Sequence, residues 1–171
     1  MSRGLGDVYK RQLQRLTGLH RQLLDTVRME REALISAEIP RIEEATVAKQ
    51  ALIEAIRSAE SARLRLTAEL AILLKKPVRE LTLPKLIVAV QGMNAKLGEQ
   101  LQTAFNVLTH LIKRIVESNK ENQQLVENSL LHVQEMKTNI LGETVPKSNT
   151  YTAKGQKSGS PNGARLIQKE A

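Results

Sequence analysis

The chain has 171 residues, 41% of them hydrophobic and only 2% aromatic, with no Trp and no Cys. That length supports one domain with a tail, and the missing cysteines exclude a disulfide framework, a thiolate metal site and a cysteine nucleophile. The net charge of +8 is concentrated at the ends: residues 13–141 hold 18 Lys+Arg against 15 Asp+Glu, too even a balance to read as a nucleic-acid footprint.

Residues 1–12, MSRGLGDVYKRQ, have no apolar core of the signal-peptide type and are read as a foreign or disordered leader. A first helix is predicted over about 13–38, because Leu13, Leu16, His20, Leu23, Val27, Glu30 and Leu34 fall on one 3/4-spaced stripe. Its end is placed near SAEIP, since Pro40 disfavours helical geometry at Ile39. A second helix is predicted over about 42–75, with Ile42, Ala45, Leu52, Ile56, Ala59, Leu66, Leu70 and Leu73 on its stripe. Lys49 and Arg63 interrupt that stripe, and their aliphatic stems are able to lie along an apolar seam.

Pro77 and Pro84 bracket a break, with Thr82 as a candidate cap for the next helix. A third and longest helix is predicted over 83–141. Its first stripe runs Val90, Leu97, Leu101, Ala104, Leu108, Leu111, Ile115. The step from Ile115 to Asn119 is a second consecutive four, a stutter that rotates the seam. Asn119, Asn122, Val126, Ser129, Val133, Met136 and Ile140 are therefore assigned to a different stripe. Gly142 is the expected stop, and residues 142–171, rich in Gly, Ser, Asn, Lys and Pro, are expected to be a disordered tail.

Together these elements define an all-α protein, an elongated antiparallel helical bundle or coiled coil of three long helices in a single domain over 13–141. Its charges alternate in sign as on a solvated helix face. No one-sided basic face is read there, so neither nucleic acid nor a membrane surface is an expected partner. No apolar run approaches the roughly 20 residues of a membrane span, and a soluble, cytoplasmic protein is expected. An enzyme is not: His20, His110 and His132 are scattered without a metal-ligand spacing, Glu43 and Glu44 point to different azimuths, and GLGDVYK lacks the phosphate-loop spacing. No cofactor and no metal is implied.

An apolar stripe on the last part of the third helix that finds no internal partner is an interaction surface. On helical spacing alone, Leu125, Val126, Leu130, Val133, Met136 and Ile140 serve equally as internal core, as a homodimer seam or as a binding site. Asn119 and Asn122 are either a register device or amides facing water.

The string NKENQQLVENSLLHV, from Asn119 to Val133, followed by Tyr151 and Gly155 in YTAKGQ, resembles the N-x-x-N-x-x-L signature and terminal Tyr-x-x-x-Gly of FlgN-type flagellar type III export chaperones. LTGLHRQLLDTVRMEREAL, from Leu16 to Leu34, resembles the usual opening of that family. Residues 1–12 match nothing in it, and SGSPNGARLIQKEA extends past its usual ending. The resemblance implies a cytosolic chaperone for the C-terminal helical region of hook-filament junction (hook-associated) proteins. It would keep the client from premature association and escort it to the type III export gate and its ATPase complex. It also implies client binding through Asn119, Asn122, Leu125, Val126, Leu130, Val133, Met136 and Ile140, and gate docking through Tyr151. The alternative reading is a homo-oligomeric coiled-coil scaffold or adaptor.

Overall fold

The structure, a computed structural model, describes residues 3–142. Regular structure among them is entirely helical: α1 (Arg3–Ile35), α2 (Ile39–Leu73), a 3-10 turn (Val78–Glu80), α3 (Leu83–Met93) and α4 (Ala95–Leu141). Residues up to Leu130 form one compact unit, and those from Leu131 form a second. Residues 143–171, including Tyr151 and the expected disordered tail, lie outside the described residues.

The all-α class is as expected, but two boundaries need correction. Residues 3–12 are not a disordered leader: α1 starts at Arg3, and Tyr9 is fully buried, its hydroxyl accepting a 2.9 Å bond from Arg63 Nη1. The third helix is not continuous over 83–141, because Asn94 divides it. Asn94 leaves the helical region (φ −149°, ψ 95°), its amide still bonds back to Val90 O, and its own Oδ1 accepts from Leu97 N at 3.1 Å. One side chain therefore ends α3 and caps α4.

The turn from α1 to α2 closes with Glu38 N bonded to Ala33 O and Ala37 N to Leu34 O, with Ala37 at φ 54°. The α2 end repeats the pattern, with Lys76 N on Ala71 O, Lys75 N on Ile72 O and Lys75 at φ 51°. Both are helix stops of the Schellman type built without glycine. In the first turn the Ser36 hydroxyl, followed by Arg41, holds the Glu38 carboxyl below its ordinary pKa. Pro40 sits in the first turn of α2, so the helix begins at Ile39 rather than being barred there. Gly142, at φ 65°, follows the last residue of α4.

The core of the first unit follows much of the stripes read from spacing, adds Leu86 and Ile87, which lay on none of them, and leaves the expected seam residue Leu73 exposed. Leu13, Leu16, Leu23 and Val27 of α1, Ala45, Ala59 and Leu70 of α2, Leu86, Ile87 and Val90 of α3, and Leu101, Leu108, Leu111 and Ile115 of α4 are buried. Each large aliphatic removed from water contributes about 1.5–3 kcal/mol. α1 and α2 run in opposite directions, with Gln12 Nε2 donating to Ala59 O at 2.6 Å and Glu30 pairing with Lys49. α1 and α4 run the same way: Gly6 faces Leu97, and Val27 and Arg31 meet Asn122 and Glu121.

Two glycines in these helices have opposite surroundings. A Cβ on Gly98 would lie 2.6 Å from both Cα and Cβ of Gln91, so the close approach of α3 to α4 at the Asn94 break requires glycine. A Cβ on Gly18 would meet nothing within 4 Å. Gly18→Ala is expected to raise stability by about 0.5–1 kcal/mol through helix propensity alone, whereas Gly98→Ala is expected to lower it by about 1–3 kcal/mol. Urea unfolding of the two variants, with the wild type as reference, reads both signs in one experiment.

Candidate functional site

A polar layer crosses the apolar seam where α1, α2 and α4 meet. The Glu30 carboxylate accepts from Lys49 Nζ at 2.8 Å and from Asn122 Nδ2 at 2.9 Å, both at Oε2. Lys49 Nζ also donates to Glu30 Oε1 at 3.1 Å and to Asn119 Oδ1 at 3.2 Å. Asn122 Nδ2 donates a second bond, of 3.0 Å, to Val27 O. Arg31 and Glu121 form an ion pair one residue along on each helix. Seam positions 30 and 49 thus carry opposite charges that answer each other, with side chains only 13% and 22% exposed.

Asn122 is 4% exposed and its Oδ1 is buried without a hydrogen-bond partner among the described residues. The stutter after Ile115 does not turn this stretch onto a separate stripe, as the spacing had suggested: burial continues from Ile115 through half-buried Asn119 to Asn122. Asn122 therefore does not face water, and it is no surface contact in this packing. Its amide works inside the protein, and Asn119 contributes its carbonyl to the same layer.

Past Asn122 the helix stays apolar while its burial ends. In the first unit Leu125 is half-buried, and Val126 and Leu130 are exposed. In the second unit Val133 is 62%, Met136 50% and Ile140 75% exposed, and Leu131 and Leu141 are exposed as well. Leu131 and Leu141 were missed by reading the seam alone, although their place in the apolar pairs Leu130-Leu131 and Ile140-Leu141 marks them. Val133, Met136 and Ile140 recur at helical spacing on one face. Glu30, which anchors the polar layer, had been read only as a charged residue on the α1 stripe. The presence of a second charge at Lys49, on the facing stripe, was the available signal.

Among the described residues no group of three or more His, Asp or Glu side chains is placed to hold a metal ion, and no helix is long and apolar enough to cross a membrane. His20 Nδ1 donates to Leu16 O at 2.7 Å within its own helix.

An exposed apolar stripe at helical spacing is the kind of surface that helix-on-helix contacts use. A model of the FlgN protein family matches residues 5–159, and the chain belongs to this family of flagellar export chaperones. No curated protein and no solved structure matches it.

The polar layer makes a prediction that separates its members. Glu30→Ala leaves the Lys49 ammonium half-buried without its carboxylate and takes one of two acceptors from the Asn122 amide, and a loss of about 2–4 kcal/mol is expected. Asn122→Leu removes the orphaned Oδ1 and adds apolar burial but takes one donor from the Glu30 carboxylate, which keeps Lys49, so a smaller loss, of about 0–2 kcal/mol, is expected. Thermal unfolding of both variants at one protein concentration checks the contrast.

Proposed function

We propose that this protein is a cytoplasmic chaperone for hook-filament junction (hook-associated) proteins, binding their C-terminal helical region and delivering them to the export gate. The exposed apolar stripe of Val133, Met136 and Ile140, with Leu131 and Leu141 beside it, carries the reading. Family membership supports it. A junction protein's amphipathic terminal helix that has not reached its assembly partners is an aggregation hazard, and it buries its apolar face against a stripe of this spacing. The contact is helix on helix, of the coiled-coil kind, with Val126 and Leu130 continuing the same spacing. Met136 suits a surface that accepts more than one client, because its thioether adapts to varied neighbours.

Amide hydrogen exchange on the full chain tests this directly. A peptide spanning the C-terminal helix of a hook-filament junction protein should slow exchange within 126–141 and leave the core of α1 and α2 unchanged. Val133→Asp should abolish that protection without altering the unfolding midpoint, because the residue is exposed. Protection of 126–141 that rises with protein concentration and ignores the peptide would instead make the stripe a homodimer seam, as in a scaffold protein.

Gate docking belongs to a separate element in this proposal. The aromatic ring of Tyr151, in a polar stretch of sequence, is a compact anchor for a linear contact. Tyr151→Ala is expected to weaken binding to the purified gate domain about tenfold or more while client-peptide affinity is retained. Equal gate binding by both proteins would remove Tyr151 from the mechanism.

A further inference from the structure

A groove of about 590 Å³ lies between α1 and α4 in the first unit, well away in sequence from the polar layer and the apolar stripe. Lys10, Gln14, Gly18 and Arg21 of α1 and Gln100 and Ala104 of α4 are among the residues that line it. No carboxylate lines it.

The only charged side chains that line the groove, Lys10 and Arg21, are both basic, although Asp7 and Asp25 lie within four residues of them on α1 and Glu99 and Glu117 bound the facing stretch of α4. Residues 8–24 of α1 contain Lys10, Arg11, Arg15 and Arg21 and no Asp or Glu; residues 100–116 of α4 contain Lys113 and Arg114 and, again, no Asp or Glu. These two windows lie side by side, because α1 and α4 run parallel with Gly6 facing Leu97 at one end and Val27 meeting Asn122 at the other. None of the six cations takes part in an ion pair among the described residues; those pairs use Arg28, Arg31, Arg41, Lys49, Arg57, Arg63 and His132. Of the six, Lys10 and Arg21 line the groove itself, and two like charges without a carboxylate in the lining attract an acidic segment.

The groove is also kept open. Gly18 sits in the interior of a 33-residue helix, where glycine disfavours the helical state, and no packing contact requires it, since a Cβ there would enter empty space. Gly6 and Gly98, by contrast, are pressed against Leu97 and Gln91. A bare backbone at Gly18 lets another chain come close.

We infer that this groove docks an acidic, amphipathic helical segment of a partner protein, laid along α1 and α4 as an additional helix. The α1 lining recurs at positions 10, 14, 17, 18 and 21, the period with which one helix meets another. Lys10 and Arg21 are eleven residues apart, about 16 Å along the helix, so carboxylates three turns apart on the incoming helix reach both. Single-stranded nucleic acid fits less well. Its bases need exposed aromatic rings to stack on, whereas Tyr9 is fully buried and Phe105 packs against the core.

The test uses the full chain and fluorescein-labelled helical peptides of about 18 residues. One carries Glu along one face at i, i+4, i+7 and i+11, and its counterpart carries Lys at the same positions. Fluorescence anisotropy should show saturable binding of the Glu peptide and none of the Lys peptide. Affinity should fall about tenfold or more between roughly 50 and 300 mM NaCl. Arg21→Glu should weaken binding about tenfold. Gly18→Met, which sends a side chain into the space that a Cβ there would enter freely, should do the same while the unfolding midpoint is not lowered. Failure of the Glu peptide to bind, equal binding by the Gly18 variant, or tighter binding of a single-stranded oligonucleotide would each overturn the proposal. Val133→Asp should leave Glu-peptide binding intact, which keeps this site distinct from the client stripe.

Discussion

The Glu30 carboxylate is the constraint on which the arrangement of the helices depends. It receives hydrogen bonds from Lys49 of α2 and Asn122 of α4 while standing on α1, so three helices meet at one charged group. Seams of leucine and alanine are tolerant: shifted by a turn, apolar residues still face apolar residues. A buried carboxylate is not, because a shift removes its donors and leaves a charge in a poorly solvated place at a cost of several kcal/mol. The net stabilisation from such a layer is small, and its effect is on which packing is allowed. The bonds to Asn119 and Val27 add geometric restrictions of the same kind.

A second polar tie acts nearer the other end of α1. Arg63 of α2 is held in its charged form by the Glu60 carboxylate beside it, and its guanidinium donates to the Tyr9 hydroxyl, which also receives a 3.4 Å bond from Thr67 Oγ1. The two residues that break the apolar stripe of α2, Lys49 and Arg63, therefore both help to pin it to α1, alongside the bond from Gln12 to Ala59 O. Between them the aliphatic clusters supply most of the burial. Charged side chains on a seam are consistent with stability here because each reaches a partner of opposite charge, one across the helices and one on its own helix.

Much of this was legible in the spacing. Nearly every position of the α1 stripe and of the first α4 stripe is buried or half-buried, because a helix has one period and the core has one side. The break at Asn94 was not legible. Gly92 and an asparagine able to cap stand at that position, but neither alone ends a helix: the stop also depends on Asn94 turning its side chain to Leu97 and on Gly98 admitting Gln91. The extension of α1 to Arg3 was missed for a related reason: Gly4 and Gly6 weaken the local helical signal, and burial of Tyr9 against α2 overrides it. The place of Asn119 and Asn122 was read only as a pair of alternatives. An amide in a seam declares a register device only once its partner is known, and that partner, Glu30, lies 92 positions away from Asn122 in the chain.

The near balance of charge over residues 13–141 concealed a separation that folding creates. Ion pairs occupy Asp25, Glu30, Glu38, Glu54, Glu60 and Glu121, on α1 beyond residue 24, on α2 and its approach, and on α4 past residue 116. The charged residues that line the groove between α1 and α4, Lys10 and Arg21, are left without such a partner among the described residues. The exposed apolar residues near the end of α4 are a surface of a different kind. Contacts there bury area and change little with ionic strength, whereas attraction to the basic groove is screened within about 8 Å at physiological salt. Two surfaces that answer to different solution variables can be loaded and released separately, and separate control is what a protein requires if it must hold one segment while exchanging another.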